Sequence, residues 1–223
     1  MCKAMTGLPV LAWVEDGEKS IMEYTVKRLE QEEIAYIYKT YMTKDFPKGE
    51  LKPLSHIVRS MEKGFGFTLG FYEGDKLIGY AVLIVAKEKG CALLDYFAIR
   101  KEHRGQGLGH EVFLLLTEYF EKNLPQVNGI YIEAEQTAKA KNEEERTVRG
   151  RRISFYQSCG CAMTELESKL FGVEYSILYR PLGARGDFPT WEAVDTIYRT
   201  MFKKSHYRCF VILTTVPKSP DEA

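Results

Sequence analysis

The sequence has no excess of either charge. Its 223 residues include 31 basic and 31 acidic side chains, so the formal net charge is zero. General nucleic-acid binding relies on clustered lysine and arginine side chains that neutralise phosphates, so we expect no nucleic-acid partner. Apolar residues at 45% and charged residues at 28% are the balance of a globular protein. A chain of this length can bury one sizeable core and carry an appendage.

Cysteine is scarce, and its spacing indicates no structural role. The five cysteines are odd in number and none stands in a C-x-x-C pair, so neither a disulfide framework nor a zinc site is expected. We therefore predict no metal and a cytoplasmic location. Cys159 and Cys161 are the closest pair, and we interpret them as packing residues at a helix end.

Long hydrophobic runs are also missing. No segment reaches the roughly 20 apolar residues that a membrane-spanning helix needs, so no membrane partner is expected. The apolar run over residues 8–14 is short and lacks a cleavage site, which argues against a secretory signal.

Hydrophobic periodicity predicts that strands and helices alternate along the chain. The predicted strands cover residues 23–29, 65–72, 77–86, 93–99, 130–135, 163–170 and 175–179. The predicted helices cover residues 34–42, 54–61, 108–119, a segment that includes 153–156, and 191–201. A loop over residues 45–53 is expected to be mobile, and residues 207–216 are expected to be extended because many of them are β-branched.

The most informative segment is a glycine-rich turn between a strand and a helix. Residues 104–109 read Arg-Gly-Gln-Gly-Leu-Gly and precede a strongly periodic helix that starts near His110. Glycine permits positive φ and a close approach of the backbone to a ligand, and a helix N-terminus offers N–H groups to an anion. The turn therefore predicts a phosphate-binding site, most simply for a pyrophosphate.

The glycine spacing excludes the two commonest phosphate-binding motifs. A dinucleotide-binding turn needs G-x-G-x-x-G, but after Gly105 and Gly107 the third glycine, Gly109, comes one residue early. A P-loop needs Gly-Lys-Ser/Thr, which does not follow. A nucleotide-dependent oxidoreductase is rejected for this reason.

What remains, Arg-x-x-Gly-x-Gly directly after a strand, resembles the acetyl-CoA-binding motif of the GNAT superfamily of N-acetyltransferases. The resemblance continues upstream through residues 93–104, which are similar to that family's fourth strand, and downstream through residues 154–160, with a Phe-Tyr pair before a glycine turn. It implies an α/β (α+β) fold with a mixed, mostly antiparallel central sheet flanked by helices. We expect that domain over residues 1–181, a helix-strand extension over 182–216 that packs on it or on a dimer partner, and a polar tail over 217–223.

The resemblance also implies the reaction and the cofactor contacts. The acetyl group of acetyl-CoA passes to a primary amine, and the backbone of the fourth strand pairs with the pantetheine. The cofactor-binding residues implied are Phe97, Ala98, Ile99, Arg104, Gly105, Gln106, Gly107, Leu108 and Gly109. The basic side chains around the turn, Arg100, Lys101, His103 and Arg104, suit the phosphates of CoA.

An acceptor ammonium must lose its proton before it attacks, which costs about 4.6 kcal/mol at pH 7 for an amine of pKa near 10.4. A carboxylate or a relayed water serves this role. Asp95 occupies the position of the base in some members of the family, and Glu133 and Glu135 on the neighbouring strand are rivals. The sequence leaves all of these open. A backbone N–H near Phe97 is the expected donor to the oxyanion.

Tyr156 is the implied acid that protonates the departing thiolate, because it holds the tyrosine position of Phe-Tyr-x-x-x-Gly. The sequence departs from the family pattern nearby, with Arg149 where an asparagine is common and Cys161 where an aromatic is usual. A solvated helix face is expected for Arg149, Arg151 and Arg152, and the alternative is that they bind a CoA phosphate or an acidic acceptor.

The acceptor is not identified by the sequence. A small-molecule amine or a peptide amine is expected, bordered by the segments 45–53 and 136–146, whose acidity favours a cationic amine. A covalent route through Cys91 is a minor alternative to direct attack in a ternary complex. An alternative of another class is a catalytically silent acyl-CoA sensor or interaction module, which needs the glycine turn but neither Asp95 nor Tyr156.

Overall fold

The computed structural model describes residues 6–11, 21–183 and 189–216. Their strands are β1 (Thr6–Leu11), β2 (Ile21–Arg28), β3 (Gly66–Glu73), β4 (Lys76–Ala86), β5 (Cys91–Ile99), β6 (Gly129–Glu135), β7 (Ala162–Leu170), β8 (Val173–Pro181) and β9 (Val211–Thr215). Their helices are α1 (Gln31–Ile37), α2 (Thr43–Asp45), α3 (Leu54–Glu62), α4 (Leu108–Asn123), α5 (Glu143–Ser158), α6 (Trp191–Met201) and α7 (Lys204–Phe210). The predicted polar tail, 217–223, lies outside the described residues.

The strands form a large, mostly antiparallel sheet flanked by helices, which confirms the predicted fold class. The pairs β1–β2, β2–β3, β6–β8, β7–β8 and β7–β9 are antiparallel, whereas β5 and β6 run parallel. The parallel pair follows from the chain path, because α4 carries the chain back between β5 and β6 as a crossover.

The chain forms two compact units, and β4 and β5 contribute residues to both. The described residues of the first unit are 6–11, 21–83 and 96–119. Alternation along β5 places Tyr96 and Ala98 in a buried cluster with Ile34 and Ile37 of α1. Phe97 lies between these two residues and points to the opposite face of the sheet. Its ring packs edge to face against Phe113 of α4, with ring centroids 5.8 Å apart.

The described residues of the second unit are 84–95, 120–183 and 189–216. In it β6 lies between β5 and β8, and α6 buries the apolar face that its periodicity predicts, with Val194 and Ile197 at most 1% exposed. The strand β9 pairs with β7 from Leu166↔Thr215 to Leu170↔Val211.

The extended conformation expected for residues 207–216 is wrong in its first part. Residues 204–210 form α7, and the chain becomes extended only at Val211, where the run Val-Ile-Leu-Thr-Thr begins. The ring of Phe210 stacks on Phe171 with centroids 5.1 Å apart, a tertiary contact that the local composition does not encode. Among the described residues, no helix is both long enough and apolar enough to cross a membrane.

Candidate active site

The glycine turn has the backbone that its sequence predicts. Gly105 and Gly107 have φ of 78° and 77°, values that residues with a side chain rarely adopt. A Cβ built on either glycine would meet no other heavy atom within 4 Å, so open space lies in front of the turn. The helix α4 begins immediately afterwards at Leu108 and points its N-terminal amides towards this end. These features fit an anionic group such as a diphosphate.

Arg104, the first residue of the motif, fastens the turn to its surroundings. Its Nε donates to the carbonyl oxygen of Ile99 at 2.7 Å, and its terminal nitrogen donates to Asp45 Oδ1 at 2.5 Å. Its backbone N–H donates to the carbonyl oxygen of Lys101 at 3.3 Å. The other carboxylate oxygen of Asp45 accepts from the Tyr80 hydroxyl at 2.7 Å. The guanidinium therefore holds the turn, the end of β5 and α2 in one arrangement.

Two of the four basic side chains around the turn already have carboxylate partners. Besides the Arg104–Asp45 pair, Arg100 forms an ion pair with Glu102, and its guanidinium lies 4.0 Å from the centroid of the Tyr41 ring. Burial, and then the hydrogen bond to Asp45, raise the pKa of Tyr80, which therefore remains a donor at physiological pH.

Asp95 and Glu133 stand just beyond the last paired residues of the parallel strands β5 and β6. The register of β5 and β6 runs from Cys91↔Gly129 to Leu94↔Ile132, and the two carboxylates are the next residues on their strands. Because paired residues of parallel strands project to the same face, both belong to one face of the sheet. Two of the three candidate bases therefore share one face of the sheet.

Glu135 is a poorer candidate because two arginines hold its carboxylate. Arg149 donates to Oε1 at 2.8 Å, and Arg152 lies 3.4 Å from Oε2. These contacts engage both oxygens of the Glu135 carboxylate.

The solvated position expected for Arg149 is wrong. Its side chain is 8% exposed, and it donates to Glu135, to Glu145 and to the carbonyl oxygen of Gln136 at 2.7–2.8 Å. These acceptors offset the desolvation of the guanidinium. A signal was present in the sequence, because Arg149 stands seven residues before the buried Tyr156 and so shares its helix face.

Tyr156 lies on α5 and is 7% exposed. Burial raises the pKa of its hydroxyl, an effect that nearby Arg152 partly opposes. The hydroxyl is therefore fully protonated at neutral pH, which is the state that a proton donor requires. Burial likewise raises the pKa of the Cys91 thiol to about 12, so almost no nucleophilic thiolate exists there at neutral pH.

Two of the acidic side chains expected near the acceptor are paired within the chain. Asp45 pairs with Arg104, and Glu145 accepts from Arg149 and from the backbone N–H of Lys141 at 2.6 Å. Their charge is therefore weaker support for a cationic acceptor than the sequence indicates.

The first unit also contains an open cavity of about 770 Å³, which sequence reasoning missed. It is lined by Glu32, Glu33, Tyr36, Ile37, Tyr41, Tyr72, Asp75, Lys76, Leu77, Arg100, Glu102 and His103. Two of its carboxylates are paired, Glu33 with Lys27 at 2.6 Å and Glu102 with Arg100. In the described part of the chain, no three histidine, cysteine or acidic side chains are placed to hold a metal ion.

A comparison with protein families finds that the model of the Acetyltransferase (GNAT) family matches residues 29–160, more than half of the chain. A comparison with curated protein sequences gives no match.

Similar solved structures include a spermidine N-acetyltransferase from Vibrio cholerae in complex with CoA and spermine, with TM-score 0.54, 14% identity, 71% of this chain and 95% of that chain covered. A dodecameric structure of the spermidine N-acetyltransferase from Vibrio cholerae has TM-score 0.53 and 14% identity. The match covers 74% of this chain and 98% of that chain. The ribosomal-protein-S18-alanine N-acetyltransferase from Escherichia coli has TM-score 0.52 and 18% identity. The match covers 75% of this chain and 99% of that chain. At these identities the likeness concerns the fold.

Proposed function

The chain belongs to the GNAT acetyltransferase family, and from that premise we propose that it transfers the acetyl group of acetyl-CoA to a primary amine by direct attack in a ternary complex. The enzyme class predicted from the sequence, an acetyl-CoA-dependent acyltransferase, is the class of this family. The observation that carries the proposal is the glycine turn, where positive φ at Gly105 and Gly107, open space and the start of α4 suit a diphosphate.

Acetyl-CoA supplies an activated thioester, and the chain supplies its binding groups. In this proposal the backbone of Phe97, Ala98 and Ile99 pairs with the pantetheine. The amides of residues 105–109 bind the diphosphate, and the Arg104 side chain keeps the turn in place. A backbone N–H near Phe97 stabilises the negative charge that develops on the carbonyl oxygen.

Asp95 and Glu133 are the proposed bases, acting directly or through a water molecule. Their shared face just beyond the paired part of β5 and β6 supports this role, and the paired carboxylate of Glu135 makes it the weaker rival. Tyr156 is the proposed acid for the departing thiolate, supported by the protonated state of its buried hydroxyl. The burial of Cys91 supports direct attack over a covalent acetyl-enzyme.

We propose a primary amine of a small molecule or of a peptide as the acceptor. Proteins of the same fold include one named for spermidine and one named for the alanine of ribosomal protein S18. A homodimer is proposed as well, because Phe210 and Ile212 of the extension are 48% and 57% exposed and one structure of the same fold is dodecameric.

The test combines binding with turnover. Acetyl-CoA should raise the melting temperature, with about 2.7 kcal/mol of stabilisation at a hundredfold excess over its dissociation constant, whereas NAD and ATP should not. An amine panel that includes polyamines and peptides with free N-termini, assayed for release of free thiol, should then identify an acceptor. Without stabilisation by acetyl-CoA the proposal fails. Stabilisation without acetylation of any amine favours the silent acyl-CoA-binding module instead.

A further inference from the structure

Tyr198 of the C-terminal extension has its hydroxyl against a candidate base. The residue is 0% exposed, and its hydroxyl donates to Glu133 Oε1 and lies 2.9 Å from the hydroxyl oxygen of Ser168. A phenol carries a single hydrogen, so while Tyr198 donates to Glu133 the Ser168 hydroxyl must be the donor to Tyr198. The result is a directed chain of hydroxyls that ends on the carboxylate.

The helix that carries Tyr198 is fixed at a second point on the same strand. The backbone N–H of Thr190, the residue that caps α6, donates to the Tyr131 hydroxyl at 3.0 Å. Tyr131 precedes Glu133 by two residues and so lies on the same face of β6. Trp191 adds a bond from its ring N–H to the carbonyl oxygen of Leu213 in β9 at 3.2 Å. Both bonds fix the start of α6, the helix whose Tyr198 contacts Glu133.

We propose that Tyr198 is a positioning residue, whose hydroxyl fixes the orientation of the Glu133 carboxylate so that Glu133 accepts the acceptor's proton. This proposal rests on the proposed acetyl transfer and deepens it, because it makes α6 part of the apparatus that activates the amine. A carboxylate on a flexible side chain has several rotamers, and a hydrogen bond to one oxygen selects among them before substrate binds.

The electrostatics of the contact agree with this role. Burial, and then the charge of Glu133, raise the pKa of Tyr198 well above its ordinary value, so the hydroxyl remains a donor wherever the enzyme works. The carboxylate in turn compensates the buried hydroxyl, which would otherwise lack a strong acceptor.

Steady-state kinetics with an accepted amine test the proposal. Tyr198→Phe removes one oxygen and keeps the ring, and it should lower kcat about tenfold or more while the KM for acetyl-CoA stays within twofold. Tyr207→Phe is the matched control, because it removes a hydroxyl that donates to Asp195 within the same extension, and it should behave as wild type. In a Glu133→Gln background, Tyr198→Phe should change kcat less than twofold, because residues that act as one unit are not additive.

Equal fold losses from Tyr198→Phe in the two backgrounds, or a loss in Tyr207→Phe as large as in Tyr198→Phe, would overturn the proposal. If Tyr198→Phe does not fold, Ser168→Ala is the deciding variant. It removes the hydroxyl that donates to Tyr198 and leaves the Tyr198 ring and Glu133 in place. A smaller loss confined to kcat supports the proposal, and wild-type kcat overturns it. Wild-type protein that acetylates no amine refutes the proposed function, whereas active wild type with undiminished kcat in Tyr198→Phe refutes only the role of Tyr198.

Discussion

Asp45 and Arg104 form an ion pair at 2.5 Å that joins the end of α2 to the first residue of the glycine turn. The loop that follows Asp45 is anchored at its other end as well. The Tyr96 hydroxyl donates to the carbonyl oxygen of Glu50 and accepts from the backbone N–H of Lys52, both at 2.8 Å. These contacts hold the loop at both ends, so its position is coupled to that of the turn.

Asp45→Asn should weaken acetyl-CoA binding several-fold, because Arg104 loses the charge that fixes it. The free energy of unfolding should fall by only about 1 kcal/mol, since the exposed side of the pair is screened by solvent. Calorimetric titration and urea unfolding measure the two effects. Asp75→Asn, in the turn between β3 and β4, is the control and should change neither. Equal acetyl-CoA affinity in the two variants would contradict the coupling.

Gly107→Val should abolish acetyl-CoA binding, because its side chain enters the open space before the turn. A residue with a side chain at φ of 77° is also strained, at a cost of roughly 1 kcal/mol or more. Gly74→Val separates the two effects, because Gly74 has φ of 56°, and a Cβ there also meets nothing within 4 Å. Both variants should lose similar stability in urea, and only Gly107→Val should lose binding. Unchanged affinity would make the turn purely structural.

Tyr156→Phe and Asp95→Asn should differ in their pH dependence. Tyr156→Phe should lower kcat about a hundredfold. High pH should not restore the rate of Tyr156→Phe, because the departing thiolate takes up a proton even less readily at high pH. In the wild type, the raised pKa of Tyr156 keeps its hydroxyl protonated well above neutral pH. Asp95→Asn, and equally Glu133→Gln, should recover partly at high pH, where the amine loses its proton unaided. A pH–rate series on the three variants assigns the roles, and full kcat in Tyr156→Phe with rate-limiting chemistry would make that residue a packing residue.

Ile197→Ala should destabilise the protein by about 2–5 kcal/mol, because Ile197 is fully buried on the inner face of α6 and its truncation leaves a cavity. Ile212→Ala, at a residue 57% exposed, should change the free energy of unfolding by less than about 0.5 kcal/mol. The difference in the free energy of unfolding between these two variants distinguishes an extension that is integral to the core from one that is loosely attached. Chemical denaturation of both gives the answer, and a small effect of Ile197→Ala would show that α6 contributes little to stability.

Cys91 should resist alkylation in the native protein, whereas the exposed Cys209 should react readily. The folded-state pKa of Cys91, about 12, lies above the unfolded value near 8.5. Its contribution to stability is therefore complete below about pH 8.5 and is lost as the pH rises towards 12. Mass spectrometry after labelling at rising pH measures the order of reaction. Early modification of Cys91 at neutral pH would reopen the covalent route.

The features that the sequence predicts correctly depend on short-range chemistry. Glycine spacing predicts the positive φ of Gly105 and Gly107, and periodicity predicts the buried face of α6. The misses depend on partners far along the chain. The burial of Arg149 requires Glu135 to lie opposite α5, and the bond from Tyr198 to Glu133 spans 65 residues. The helix face that Arg149 shares with Tyr156 indicates that Arg149 is buried, but no local pattern indicates which residues Arg149 and Tyr198 bind.

The distance between Tyr198 and Glu133 along the chain has a consequence during synthesis. At ribosomal rates of about 5–20 residues per second, β6 emerges several seconds before α6 exists to cover it. During this interval the face that carries Tyr131 and Glu133 must remain in water. The phenol of Tyr131 and the carboxylate of Glu133 make this face of the nascent chain less prone to association than an aliphatic face would be. The same two groups later accept the hydrogen bonds from Thr190 and Tyr198 that hold α6 on the sheet.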